Sequence, residues 1–142
     1  MSRNGSCLCG TVSYELDARP EKAGACHCGM CRKFSGGVYL AFEVPAGGVT
    51  FRGEEMIGTY TSSEWAERCF CKTCGSSLFY RLTMEGPMQG THHFALGTLD
   101  DANGIAFEGE IFIDRKPDVY DFAGDHMRMT EAEFLASIGA AS

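Results

Sequence analysis

The sequence predicts a mainly β protein, stapled by metal and followed by a short C-terminal helix. Three observations lead there. Apolar residues alternate in short runs, such as Val12, Tyr14 and Leu16, between turns drawn from 18 glycines. The eight cysteines gather in tight knuckles, the spacing that tetrahedral zinc requires. Only one stretch, 130–138, carries helix signals at both its start and its end.

In chain order, Gly5-Ser-Cys-Leu-Cys-Gly10 is a glycine-flanked turn that presents two thiols, and 11–16 is a strand. Residues 19–24 read as a loop. The thiol run of Cys26, Cys28 and Cys31 follows and leads into one helical turn over 32–37, ended by glycine. Residues 38–44 are strand-like, 45–48 a turn, and 49–51 and 57–61 short strands around Gly53. Residues 67–70 carry the chain into Cys71-Lys-Thr-Cys74, and 77–82 form a strand leaving it. Residues 91–99 read as another strand, ended by a turn at Asp100 and Asp101, and Ile111 to Ile113 is short and apolar. Thr130, with Glu133 three residues on, makes a capping box for the final helix. Its face is Phe134, Leu135 and Ile138, and Gly139 can end it. Trp65, Phe70, Phe79 and Tyr80 are core candidates.

The 142 residues suffice for one domain with a sizeable core, taken as 1–142 with its core at about 5–120. The first residues hold no apolar run, and no stretch is long and apolar enough to span a bilayer, so the expectation is a soluble, cytoplasmic protein without membrane contact. In a reducing compartment, metal explains eight thiols better than four disulfides do. The formal charge of −7, from 12 basic and 19 acidic residues, argues against nucleic acid as a partner, and thiolates bound to zinc would deepen it.

The eight thiols divide by geometry. A C-x-C pair (Cys7, Cys9) and a C-x-x-C pair (Cys71, Cys74) each supply two ligands from a tight turn, and two such pairs close one structural site. Cys26, Cys28 and Cys31 supply three ligands and leave a fourth position open, the catalytic arrangement of zinc. Two zinc ions per chain are expected. Spacing alone leaves open which pairs combine; joining Cys7/Cys9 with Cys71/Cys74 keeps the triplet intact. Cys69 reads as a small buried hydrophobe, with a competing ligand pair with Cys71 as the alternative.

Three ordered segments resemble the glutathione-dependent formaldehyde-activating enzyme family, whose domain centromere protein V shares. They are Gly5-Ser-Cys-Leu-Cys-Gly10, Cys26-His-Cys-x-x-Cys-Arg-Lys-x-Ser-Gly36 and Phe70-Cys-x-x-Cys-Gly75, and Gly97-Thr-Leu-Asp-Asp101 is similar to a further family segment. The resemblance runs from about Gly5 to the 111–120 region. It implies a zinc-stapled β-tent fold of short antiparallel sheets. It assigns Cys7, Cys9, Cys71 and Cys74 to a structural zinc and Cys26, Cys28 and Cys31 to a catalytic one, and it matches Cys69 to no ligand. The implied activity joins glutathione and formaldehyde into S-(hydroxymethyl)glutathione, a carbon–sulfur lyase reaction in reverse. Glu110 stands where many relatives carry a His before the apolar triplet, and the helix at 130–138 lies outside the resemblance.

Charge shapes what the triplet could do. Three thiolates leave a zinc site net negative, a poor Lewis acid for an aldehyde but one that keeps a bound sulfur electron-rich. The expected chemistry is attack by a small thiol such as glutathione on a small carbonyl carbon. Arg32 and Lys33, directly after Cys31, are candidates to offset that charge or to bind substrate carboxylates; as an alternative they are a solvated helical face. His27, between two ligands, is expected to point away from the metal. His92 and His93 are expected to face opposite sides of a strand, and His126 to be solvated. The alternative to an enzyme is a non-catalytic, zinc-stapled binding module of the same fold.

Overall fold

Hairpins that end in cysteine knuckles dominate the fold, because each knuckle stands where a strand pair must turn. The computed structural model describes residues 3–139. Strands β1 (Asn4–Ser6) and β2 (Ser13–Leu16) pair antiparallel, and the turn between them carries Cys7 and Cys9. β5 (Val49–Arg52) adds to β2 to complete a three-stranded sheet of order β1-β2-β5. Gly5 in β1 lies under the Tyr14 ring and the Thr98 carbonyl, which a Cβ there would strike.

The second sheet has eight strands. Beyond β3 (Lys22–Cys26) and β4 (Tyr39–Val44), its strands are β6 (Ile57–Thr61), β7 (Ala66–Cys71), β8 (Ser77–Leu82), β9 (His92–Ala95), β10 (Ala106–Ile111) and β11 (Met127–Met129). Their order is β11-β10-β3-β4-β9-β8-β7-β6. Neighbours are antiparallel except β10, which runs parallel to both β3 and β11. The β7–β8 turn carries Cys71 and Cys74. The protein is mainly β, as expected.

Several local readings change; the strand expected over 91–99, for example, ends at Ala95 and gives way to a 3-10 turn over Leu96–Thr98. The stretch 19–24, read as a loop, already contains the start of β3, where Ala23 and Ala25 are buried and Gly24 is only partly covered. That strand carries no bulky alternation, so its pairing with β4 and β10 decides it. The single turn expected at 32–37 is a two-turn helix, α1 (Gly29–Ser35). It starts inside the thiol run and ends at Gly36, whose φ of 76° suits glycine. The apolar run at 111–113 ends β10 and turns at Phe112 (φ 57°) instead of extending the strand. The C-terminal helix α2 (Glu131–Ser137) forms with the expected capping box.

The central strands are covered on both faces. On one face, Phe42, Phe79 and Phe94 sit side by side with Cys69, Leu78, Tyr14 and Leu16 in the larger core. On the other face, Tyr39 packs with Cys26 and Cys31, and Phe34, Tyr80, Ala95 and Ile111 close around them. The core candidates Phe79 and Tyr80 therefore belong to opposite faces. Trp65 is a correction: it is 42% exposed, because it sits in the turn before β7 rather than in a strand.

Candidate metal centres

The first knuckle belongs to the three-stranded sheet and the second to the eight-stranded sheet, so whatever joins them joins the two sheets. The Sγ atoms of Cys7, Cys9, Cys71 and Cys74 lie within 4.8 Å of one another. Cys7 and Cys9 are 3.7 Å apart, and Cys9 and Cys71 are 3.9 Å apart. Tetrahedral zinc with Zn–S bonds of about 2.3 Å requires sulfurs about 3.8 Å apart. Backbone N–H groups of Val12 and Cys74 point at Cys7 and Cys71 at 3.4 and 3.5 Å. Hydrogen bonding with Ser76 holds the Cys74 thiol down at about 5, and Thr11 lowers Cys9 in the same way, while burial pushes Cys7 up. The donor set fits a zinc ion.

The second cluster is assembled by β3 and α1. Cys26 ends β3 and Cys31 lies in the first turn of α1. Cys28 is the N-cap of α1, its sulfur accepting the Cys31 N–H at 3.4 Å. The three sulfurs lie within 4.8 Å of one another. Among the described residues no fourth Cys, His, Asp or Glu joins them. Cys28 is the more exposed member, whereas Cys31 is fully buried. Hydrogen bonds from Cys26 and Cys31 hold the Cys28 thiol far below its usual range, and the same contact with Cys28 raises Cys26.

His27 turns away from the sulfurs, as expected, and is buried. Its Nε2 meets Glu110 Oε1 at 2.7 Å, and its Nδ1 lies 3.4 Å from the Tyr120 hydroxyl. Its backbone N–H donates to Ile111. The other Glu110 oxygen meets His126 Nε2 at 2.5 Å and Arg128 Nε at 3.4 Å. The reading of His126 as solvated is thus corrected: its side chain is 5% exposed, because Glu110, itself buried, needs partners. His92 and His93 do face opposite sides, and neither joins a sulfur cluster: His92 packs on Phe79, and His93 stacks on Tyr80.

Arg32 and Lys33 are exposed on α1. The cation at the triplet is Arg68 instead. It is 4% exposed, and its Nη1 donates to Cys31 Sγ at 3.5 Å. Its guanidinium lies over the rings of Tyr80 and Phe34, 4.7 and 5.4 Å from their centroids. The burial that disfavours its charge is outweighed by the nearby sulfurs, Cys31 foremost. Register brings it there, since Arg68 pairs with Tyr80 across β7–β8 and Tyr80 with His93 across β8–β9. Cys69, the next residue, points to the opposite face, is buried against Thr59, and joins neither cluster. An open cleft of about 760 Å³ lies beside α1, with Lys33, Phe34, Leu8, Thr98 and Asp100 among its lining. Phe34 and Ala95 border both this cleft and the triplet's core.

A profile of the family described as "Glutathione-dependent formaldehyde-activating enzyme" matches residues 2–115. The chain belongs to this family. An uncharacterized lyase of Schizosaccharomyces pombe is 32% identical over 136 residues, covering 94% of this chain and 95% of that protein. A Halomonas elongata protein whose name carries the family description is 31% identical over 87 residues, 56% of this chain and 55% of its own length. A crystal structure of a Rhodobacter sphaeroides protein shares the fold at a TM-score of 0.56 and 22% identity, over 73% of this chain and 98% of that one. Among the described residues no helix is long and apolar enough to cross a membrane.

Proposed function

We propose that this member of the formaldehyde-activating family is a lyase-type enzyme that joins a small thiol such as glutathione to formaldehyde or a similar aldehyde. Cys26, Cys28 and Cys31 would hold the zinc at which this happens, and Cys7, Cys9, Cys71 and Cys74 a second, structural zinc. The carrying observation is the contrast between a complete set of four thiols and a set of three with no fourth protein ligand among the described residues. Bound to the triplet, zinc supplies a centre that keeps a ligand thiol deprotonated at neutral pH.

The chain's own residues do the rest. Cys28, at the helix cap, is the partly exposed thiol of the triplet, while Tyr39, Phe34 and Tyr80 pack against its inner side. Lys33 and Asp100, which line the cleft between α1 and the Cys7 knuckle, suit the carboxylate and ammonium ends of a small peptide thiol, and Arg32 is exposed on the same helix. In the reaction the thiolate sulfur attacks the carbonyl carbon. A carbon–sulfur bond forms, the carbonyl π bond breaks, and the oxygen takes up a proton to give a hydroxymethyl thioether. Holding both reactants at one centre would contribute by proximity.

The test is the exchange rate between free formaldehyde and its glutathione adduct, followed by NMR, with zinc-loaded protein and with Cys28→Ser. The two compounds combine unaided, so the variant supplies the baseline. Acceleration by the native protein alone is the expected result. No acceleration with two zincs bound would remove formaldehyde and glutathione as substrates and leave the non-catalytic binding module.

A further inference from the structure

We propose that Arg68 decides the charge of the fourth ligand at the three-cysteine centre, making it an anionic thiolate rather than a neutral donor. This rests on the reading of Cys26, Cys28 and Cys31 as a zinc site with an exchangeable position. The bookkeeping of charge comes first. Three thiolates around a divalent ion carry one net negative charge, and a thiolate as fourth ligand carries the centre to two. Next to the buried Tyr39 and the partly buried Phe34 and Tyr80, a doubly charged centre is poorly solvated. A neutral ligand avoids that cost, so an isolated three-cysteine centre would favour imidazole or water.

Arg68 reverses the preference. It is a permanent cation, buried to 4% exposure, whose Nη1 already donates to a triplet sulfur. The Tyr80 and Phe34 rings fix its plane, and among the described residues its Nε has no hydrogen-bond partner. Among the described residues no carboxylate is paired with it: Glu67, the acidic neighbour on β7, is taken by Arg81. A buried guanidinium without a carboxylate is costly unless something anionic sits beside it, and the sulfurs are what the fold puts there. Arg32 and Lys33 are exposed, so solvent screens them and they add little to this preference.

The test uses the full-length protein with cobalt at both sites, titrated with 2-mercaptoethanol and separately with imidazole, and read by the visible absorption of cobalt. A charge partner within a few ångströms shifts ionisation by about one to three units, so Arg68→Met and Arg68→Gln should weaken the thiol about tenfold or more while imidazole changes by less than about threefold. Arg68→Lys, which keeps the charge, should stay near the native ratio. Parallel loss of both ligands, an unchanged ratio in Arg68→Met and Arg68→Gln, or loss of cobalt from these variants would overturn the assignment. A native spectrum indifferent to thiols is a separate result, since it removes the exchangeable position itself.

Discussion

Glu110 is 1% exposed, yet both its oxygens are occupied: His27 on one side, His126 and Arg128 on the other. These bonds outweigh the desolvation that would raise its pKa and hold the carboxyl below its usual range. Removing the carboxylate strands two buried histidines, so Glu110→Ala should lower stability by about 3–5 kcal/mol in urea unfolding, and Glu110→Gln by less. A second residue-scale effect comes from His92 and His93. Burial pushes both down to about 4, helped by Arg81 for His92 and by His92 and Arg68 for His93. The unfolded chain takes up these protons near pH 6.5, while the fold resists them until about 4. Stability is therefore whole above pH 6.5 and falls as the pH drops through that window, by about 3 kcal/mol for one such histidine. His92→Leu should flatten the slope of unfolding free energy between pH 7 and 5; an unchanged slope would exclude His92 as its source. Neither effect could be read from the sequence, because one histidine among aromatic rings and one bonded to a carboxylate 16 residues away look alike there.

At the scale of elements, α2 forms through its own ends. Thr130 accepts from the Glu133 N–H while Glu133 returns the bond to the Thr130 N–H, and none of the residues of α2 is buried. The face expected from Phe134, Leu135 and Ile138 is only partly used: Phe134 meets Phe112, but Ile138 is 58% exposed. Thr130→Ala should cost about 1 kcal/mol locally. Amide exchange should speed up in α2 and stay unchanged in the strands that carry Phe79 and Phe94. Helix α1 depends instead on a sulfur cap, Cys28, which ties its start to the triplet. A capping box is written in contiguous residues and was legible. The start of α1 was not, since nothing in Cys28-Gly-Met-Cys31 resembles an ordinary cap.

Across the whole molecule, the four-cysteine cluster bridges a three-stranded and an eight-stranded sheet, while the triplet joins only β3 and α1. Metal lost from the first should cost the fold, and metal lost from the second only the site. Cys71→Ser should lose more than about 4 kcal/mol or fail to fold, with zinc absent. Cys28→Ser should stay folded, since serine also caps helices, and should hold one zinc rather than two by elemental analysis. Equal unfolding of both variants would show that the two clusters do not differ in role.

The spacing of the cysteines within each knuckle, the alternation of the stronger strands and the capping box are properties of neighbours along the chain, and they determined the mainly β class, the ligand candidates and the last helix. The surroundings of the ligands were decided only in three dimensions. Arg68 lies 37 residues from Cys31, and Glu110 lies 83 from His27. Strand register across β7–β8–β9 places the first, and the parallel pairing of β3 with β10 places the second. A two-residue period says that side chains alternate, but only the pairing of strands says which face Arg68 and Cys69 each meet.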